Sequence, residues 1–151
     1  MYTLIVIDMQ PKFDSSQKES TIKNCRTLLR QAQKDKAGIL LVEYIDYGET
    51  DNRLQNMIRD YSLTKTITKI SNDGSVEIRK AIKKYNYPSK LLKVCGVNTD
   101  YCVYESVVGL TKNMPRATIE VIGKACNSTW THKRGLAMLK ELSKKSNVKL
   151  K

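Results

Sequence analysis

The sequence predicts an α/β fold, a three-layer αβα, Rossmann-like domain on a parallel sheet of five to six strands. Three observations carry this expectation. Short β-branched runs alternate with stretches of helical periodicity along the chain, the joining segments are brief, and the strand runs are apolar on consecutive rather than alternate residues. A strand that is apolar throughout must be covered on both faces, as happens when a parallel sheet lies between two layers of helices.

The elements follow in order. Thr3-Leu4-Ile5-Val6-Ile7 is a continuous apolar run stopped by Asp8, the mark of a central strand. From about Ser20 to Lys36, Ile22, Cys25, Leu29 and Ala32 recur at helical spacing, and Gly38 is expected to stop that helix. Ile39-Leu40-Leu41-Val42, with Tyr44 and Ile45 following, reads as the second strand, ending near Asp46 and Gly48. Leu54, Met57, Ile58 and Tyr61 mark a short helix, and Thr64 to Lys69 a third strand rich in β-branched residues. Ile78, Ala81, Ile82 and Tyr85 lie on one helical stripe that must end before Pro88. Leu91 to Cys95 is the fourth strand, Cys102 to Lys112 its helix, Ala117 to Ile122 the fifth strand and Thr131 to Lys145 the last helix, with Val148 to Leu150 as an optional sixth strand. Right-handed crossovers leave few topologies for this order.

Bulk properties bound the rest. A chain of 151 residues with 40% hydrophobic and 28% charged residues can bury one core of its own, so a single domain over residues 1–151 is expected. Nothing in it reads as a repeat, a low-complexity tract or an interdomain linker. The first apolar run is too short to cross a bilayer and follows no basic segment of the secretory type, which points to a cytoplasmic protein without a membrane partner. Cys25, Cys95, Cys102 and Cys126 are expected as free thiols, since a domain of this size needs no disulfide staples. With one histidine, His132, and no CxxC pair, the usual structural zinc sites cannot be assembled, and neither metal nor cofactor is expected. The formal charge of +12 favours anionic partners, but the lysines are spread over helix faces and the tail without interleaved aromatics, so nucleic acid is disfavoured and a solvated surface or an acidic substrate preferred.

In open parallel sheets chemistry sits beyond the carboxyl ends of the strands, where the direction of winding reverses. Asp8 ends the first strand, Lys69 ends the third, and Cys102 lies in the first turn of the helix after the fourth. A helix N-terminus favours thiolate over thiol, which makes Cys102 a candidate nucleophile with a lowered pKa. Asp8 could take its proton and Lys69 could hold Asp8. Each has a plainer reading: cysteine as core packing, aspartate as a turn residue, lysine as a solvated strand end. Cys25 on a helix stripe and Cys95 inside a strand fit the packing role.

The wording around these positions separates the two readings. Leu4-Ile5-Val6-Ile7-Asp8-Met9-Gln10 followed by Phe13, Ile67-Thr68-Lys69, Val94-Cys95-Gly96-Val97-Asn98-Thr99-Asp100-Tyr101-Cys102-Val103, and the stretch from Gly123 through Ser128 to His132 resemble the isochorismatase-like cysteine hydrolase superfamily, which includes the nicotinamidases. The resemblance runs over nearly the whole chain. It implies a triad of Asp8 as acid/base, Lys69 as electrostatic partner and Cys102 as nucleophile. It further implies a cis Val97–Asn98 bond, an oxyanion hole from the backbone N–H groups of Asn98 and Cys102, and substrate contacts from Phe13 and Val97.

Departures from the family pattern narrow the expectation. Metal-assisted nicotinamidases carry an aspartate and two histidines after the second strand, whereas Glu43-Tyr44-Ile45-Asp46-Tyr47-Gly48-Glu49 holds no histidine. Isochorismatases proper do not use cysteine at the position of Cys102. Residues Asn72 to Gly74 lack the aromatic and small residues often found after the family lysine. The expected activity is metal-independent hydrolysis of a C–N bond in a small amide or ureido compound through a Cys102 thioester, and family members often form homo-oligomers. The alternative is a catalytically idle member that binds a small molecule or a protein. Tyr44, Tyr47, Tyr101, Tyr104 and Trp130 could line the pocket or fill the core.

Overall fold

A computed structural model describes all 151 residues. Its strands are β1 (Thr3–Ile7), β2 (Gly38–Tyr44), β3 (Thr64–Lys69), β4 (Leu91–Val97), β5 (Thr118–Asn127) and β6 (Val148–Leu150), and all pair in parallel in the order β3-β2-β1-β4-β5-β6. The helices are α1 (Glu19–Lys34), α2 (Asn52–Ile58), α3 (Ser75–Lys84), α4 (Tyr104–Asn113) and α5 (His132–Ser143). Helix α1 packs against α2, while α3 packs against α4 and α4 against α5, so helices cover both faces of one six-stranded sheet. The three-layer α/β architecture expected from the sequence is therefore the observed one.

The apolar runs account for the layering. Every residue of β1 is buried, as are Ile39 to Val42 of β2 and Leu92 of β4, and these side chains form one continuous core with Ile22, Leu29, Leu54, Ile78, Val107 and Leu139 from the helices. Strand β3, at the sheet edge, carries lysine and threonine in alternation with partly covered residues, as an outer strand can.

Winding reverses between β1 and β4: β2 and β3 lie to one side of β1, and β4, β5 and β6 to the other. At that seam the backbones approach closely. Gly96 has φ 124°, and a Cβ built there would stand 2.0 Å from the Ile7 carbonyl oxygen. Only glycine meets both demands.

Several boundaries differ from the sequence expectation. Helix α1 stops earlier, because Lys36 (φ 52°) takes the left-handed position expected of Gly38. Gly38 instead opens β2 under the Tyr87 ring, which a Cβ would meet at 2.6 Å. Strand β5 runs on to Asn127 past the expected end at Ile122, because its register against β4 jumps: Val94 pairs with Val121 and Gly96 with Cys126. Cys102 precedes α4 in a π-helical turn, Thr99–Val103, closed by the bond from Val103 N–H to the Asn98 carbonyl at 3.0 Å.

Gly96→Ala tests the seam. It should cost about 3 kcal/mol or more in urea-melt stability, against about 1 kcal/mol or less for Gly48→Ala, whose Cβ would meet nothing and whose φ of 80° is the only strain.

Candidate active site

Three strands deliver the site to the carboxyl edge of the sheet. Asp8 follows β1 directly, in the left-handed region at φ 52°, a conformation that aspartate tolerates better than most residues. Its N–H donates to the Val42 carbonyl at 2.8 Å, which continues the β1–β2 ladder one step and fixes the carboxylate beyond the strand ends. Lys69 ends β3, two strands away, and reaches across the end of β2: its Nζ lies 4.1 Å from the centre of the Tyr44 ring and 3.0 Å from Asp8 Oδ2. Gly74 makes room for this crossing, since a Cβ there would touch the Lys69 stem at 2.9 Å. Nζ also donates to the Ser71 carbonyl at 2.9 Å.

Both partners of the ion pair are fully buried. Two isolated charges in such a place would be very unfavourable, and each is tolerable only because of the other. Asp8 Oδ1 makes no hydrogen bond, and Oδ2 meets Lys69 as an ion contact without hydrogen-bond alignment. The carboxylate thus keeps capacity to accept a proton. Burial pushes its pKa above the ordinary carboxylate value, opposed by Lys69 and by the neighbouring Cys102 thiol.

Cys102 is 3% exposed and donates its thiol to Asn72 Oδ1 at 3.6 Å. Burial, followed by the negative charge of Asp8, pushes its pKa up to about 12, with Lys69 pulling the other way. This corrects the expectation of a lowered thiol pKa from the helix N-terminus: desolvation and a carboxylate at close range outweigh the helix end. At neutral pH the thiol therefore rests protonated.

The π-helical turn is pinned from behind. Ser128 Oγ donates to Asp100 Oδ1 at 2.8 Å, Thr99 Oγ1 and His132 Nδ1 share a hydrogen bond of 2.8 Å, and α5 approaches so closely that a Cβ on Gly135 would stand 2.8 Å from Asp100 N. In front, Ser106 on α4 donates to the Asn72 carbonyl at 3.2 Å and accepts from Gly74 N–H at 2.9 Å, which holds the loop bearing Asn72 against the thiol.

The remaining expected residues are placed as follows. Val97–Asn98 is a cis peptide bond. The Asn98 carbonyl accepts from Tyr101 and Val103, and its own N–H makes no backbone hydrogen bond. Phe13 stacks on Tyr47 with ring centres 4.5 Å apart, and Tyr44 meets both rings edge-on, so an aromatic group runs from solvent to Lys69. Val97 is wholly buried in the core and offers no surface to a ligand. Tyr101 and Trp130 are exposed, Trp130 at 93%, while Tyr104 packs partly against the core.

Asn72 and Gln10 were not singled out by sequence reasoning. Gln10 is buried and bonds Tyr44 N–H, the Tyr44 carbonyl and the Gly48 carbonyl, which holds the loop of the aromatic group in place. It stands inside the quoted Asp8-Met9-Gln10 motif, a usable signal; Asn72 carried none. In the region after β2, Glu43 is engaged by Thr50 through its N–H and hydroxyl at 2.7 and 2.8 Å. No three side chains of His, Cys, Asp or Glu are grouped to hold a metal ion. No helix is long and apolar enough to cross a membrane.

No family model matches the sequence, and no curated protein does. Solved structures match over nearly the whole chain. A nicotinamidase from Staphylococcus aureus superposes with a TM-score of 0.78 at 16% identity, covering 98% of each chain. N-carbamoylsarcosine amidase from Thermoplasma acidophilum gives 0.77 at 12%, covering 99% of this chain and 95% of that one. A ribonuclease from Caenorhabditis elegans gives 0.79 at 16%, covering 93% of this chain and 72% of the other. The chain has the fold of these proteins, as the resemblance implied, and that fold carries more than one activity.

Two outcomes check the electrostatics. In Asp8→Asn the negative neighbour is gone and Lys69 remains, so the Cys102 pKa should fall; iodoacetamide labelling at pH 8, read by peptide mass spectrometry, should speed up about tenfold per unit of that fall. The wild-type thiol should label slowly. Because the folded-state pKa of Cys102 lies above the unfolded value of 9.0, its contribution to stability is complete below pH 9 and is lost as pH rises toward about 12. Urea midpoints should therefore fall across that window, and less so in Cys102→Ala.

Proposed function

We propose that this chain is a hydrolase of small amide or ureido substrates, cleaving a C–N bond through a Cys102 thioester without a metal. The observation that carries the reading is the buried convergence of Asp8, Lys69 and Cys102 where the winding of the sheet reverses. Support comes from the shared fold of a nicotinamidase and of N-carbamoylsarcosine amidase, one acting on an amide and the other on a carbamoyl group by name.

A resting thiol with a pKa near 12 is a poor nucleophile by itself, so attack must be coupled to proton transfer. Asp8 accepts the thiol proton while sulfur bonds to the substrate carbonyl carbon. Its raised pKa suits this task, because it holds a proton better than an ordinary carboxylate, while Lys69 opposes the rise. The oxyanion that forms is met by the N–H groups of Asn98 and Cys102. Collapse of the tetrahedral intermediate breaks the C–N bond, and protonated Asp8 passes its proton to the departing nitrogen. Asp8 then takes a proton from water, hydroxide adds to the thioester, the acid leaves, and the proton returns to sulfur. Lys69 balances the charge of Asp8 through their ion pair. The aromatic group of Phe13, Tyr44 and Tyr47, which ends on Lys69, is the apolar surface we assign to the substrate.

A second reading has one observation in its favour. With Cys102 only 3% exposed, the same site could hold a ligand without turning it over. The two readings part in one experiment: incubate the protein with a panel of small amides and ureido compounds, measure ammonia or amine release, and examine the intact mass after an acid quench. Turnover with an acyl adduct on Cys102, and loss of activity by about 10³-fold or more in Cys102→Ala and in Asp8→Asn, supports the hydrolase. Thermal stabilisation by a compound with neither release nor adduct would leave only the binding role.

A further inference from the structure

A cleft at the edge of the sheet opposite Cys102 gathers cations that nothing in the protein neutralises. It lies between the later turns of α3, the end of α4 and the segments leading into β4 and β5, has a volume of about 570 Å³, and is lined by Arg79, Lys80, Lys83 and Arg116 with Ser89 and Asn113 among its polar groups. No carboxylate lines it. All four cations are exposed, and none has a carboxylate within ion-pair distance; the ion pairs of the molecule use only Arg53, Lys69 and Lys144 as cations.

The ordinary explanation for lysines near a helix end is complementarity with the helix dipole. It covers Lys83, in the last turn of α3. It does not cover Arg79 and Lys80, which precede that turn, or Arg116, which belongs to no helix. Two guanidinium and two ammonium groups around one concavity repel each other until an anion occupies it. Guanidinium forks match the spacing of phosphate oxygens, ammonium groups add charge without a fixed direction, and the Ser89 hydroxyl is a neutral donor beside them. The volume lies within the range of small-molecule sites.

We propose that this cleft binds a ligand carrying two or more phosphate groups, of about the size of a nucleoside diphosphate. The phosphates could belong to a free nucleotide or to a stretch of nucleic-acid backbone, which offer the same oxygens to the same cations. This site is independent of the Cys102 chemistry, and its test reads binding alone.

The experiment is titration calorimetry on the full chain at about 0.15 M salt with ADP, inorganic pyrophosphate, adenosine and a short single-stranded RNA. ADP and pyrophosphate should bind with a Kd of about 100 µM or tighter while adenosine does not. The Arg79→Ala/Arg116→Ala variant should weaken this binding about tenfold or more, and Lys23→Ala/Arg30→Ala, which removes the same charge from the exposed side of α1, should leave it within about twofold. RNA binding much tighter than ADP, lost in the first variant and kept in the second, would identify the backbone as the source of the phosphates. Absence of ADP, pyrophosphate and RNA binding at millimolar concentration, or equal weakening in both variants, would overturn the proposal, the second result by showing diffuse attraction to a charged surface.

Discussion

The ion pair between Asp8 and Lys69 sets the conditions for everything at the carboxyl edge of the sheet. It is 3.0 Å long and shut away from water on both sides. In such a medium a single uncompensated charge is far more disruptive than a missing methylene, so the surroundings have to deliver both partners together. That requirement explains local features that otherwise look unrelated. The left-handed turn at Asp8 swings the carboxylate past the end of β1, and the gap at Gly74 lets a lysine stem cross from two strands away. The Tyr44 ring beneath the ammonium supplies a face that attracts positive charge where water cannot. Cys102 then stays protonated first because it is buried and second because the Asp8 charge at close range outweighs that of Lys69.

Precision in this arrangement comes from elements outside the group of Asp8, Lys69 and Cys102. The π-helical turn is clamped between α5 behind it, through Thr99, Asp100 and Gly135, and the Asn72 loop in front, through Ser106. Side chains packed on rigid elements from both directions have few alternative rotamers, which keeps the sulfur near the carboxylate. On the other side Gln10 fixes the backbone of the aromatic group's loop, and Tyr47 is partly exposed, at 41%. The more firmly braced side is therefore the one carrying Cys102.

Most of the fold was legible because burial on both faces leaves an unambiguous mark. Leu4 to Ile7 and Ile39 to Val42 cannot be satisfied by anything but an inner strand between helices. Asp8, Lys69 and Cys102 were legible because topology sends every strand end to the same edge, whatever the exact helix boundaries. What could not be read depended on contacts distant in sequence. The jump in register between β4 and β5, which carries Ser128 to the π-helical turn that holds Cys102, has no local sequence mark. Gly38 looked like a helix stop, yet its lack of a side chain serves Tyr87, 49 positions along the chain. Val97 looked like a pocket residue from its neighbours, but its side chain turns into the core. The rise in the Cys102 pKa was hidden for the same reason, since desolvation is set by what folds over the sulfur.

The single tryptophan offers a practical consequence. Trp130 projects from the loop between β5 and α5 with 93% of its surface in water, two residues from the Ser128 that braces Asp100. An indole already bathed in solvent changes environment little when the core melts, so ultraviolet emission excited at this chromophore is a poor gauge of global denaturation. Near-ultraviolet dichroism of the clustered tyrosines, or backbone ellipticity, follows that transition instead.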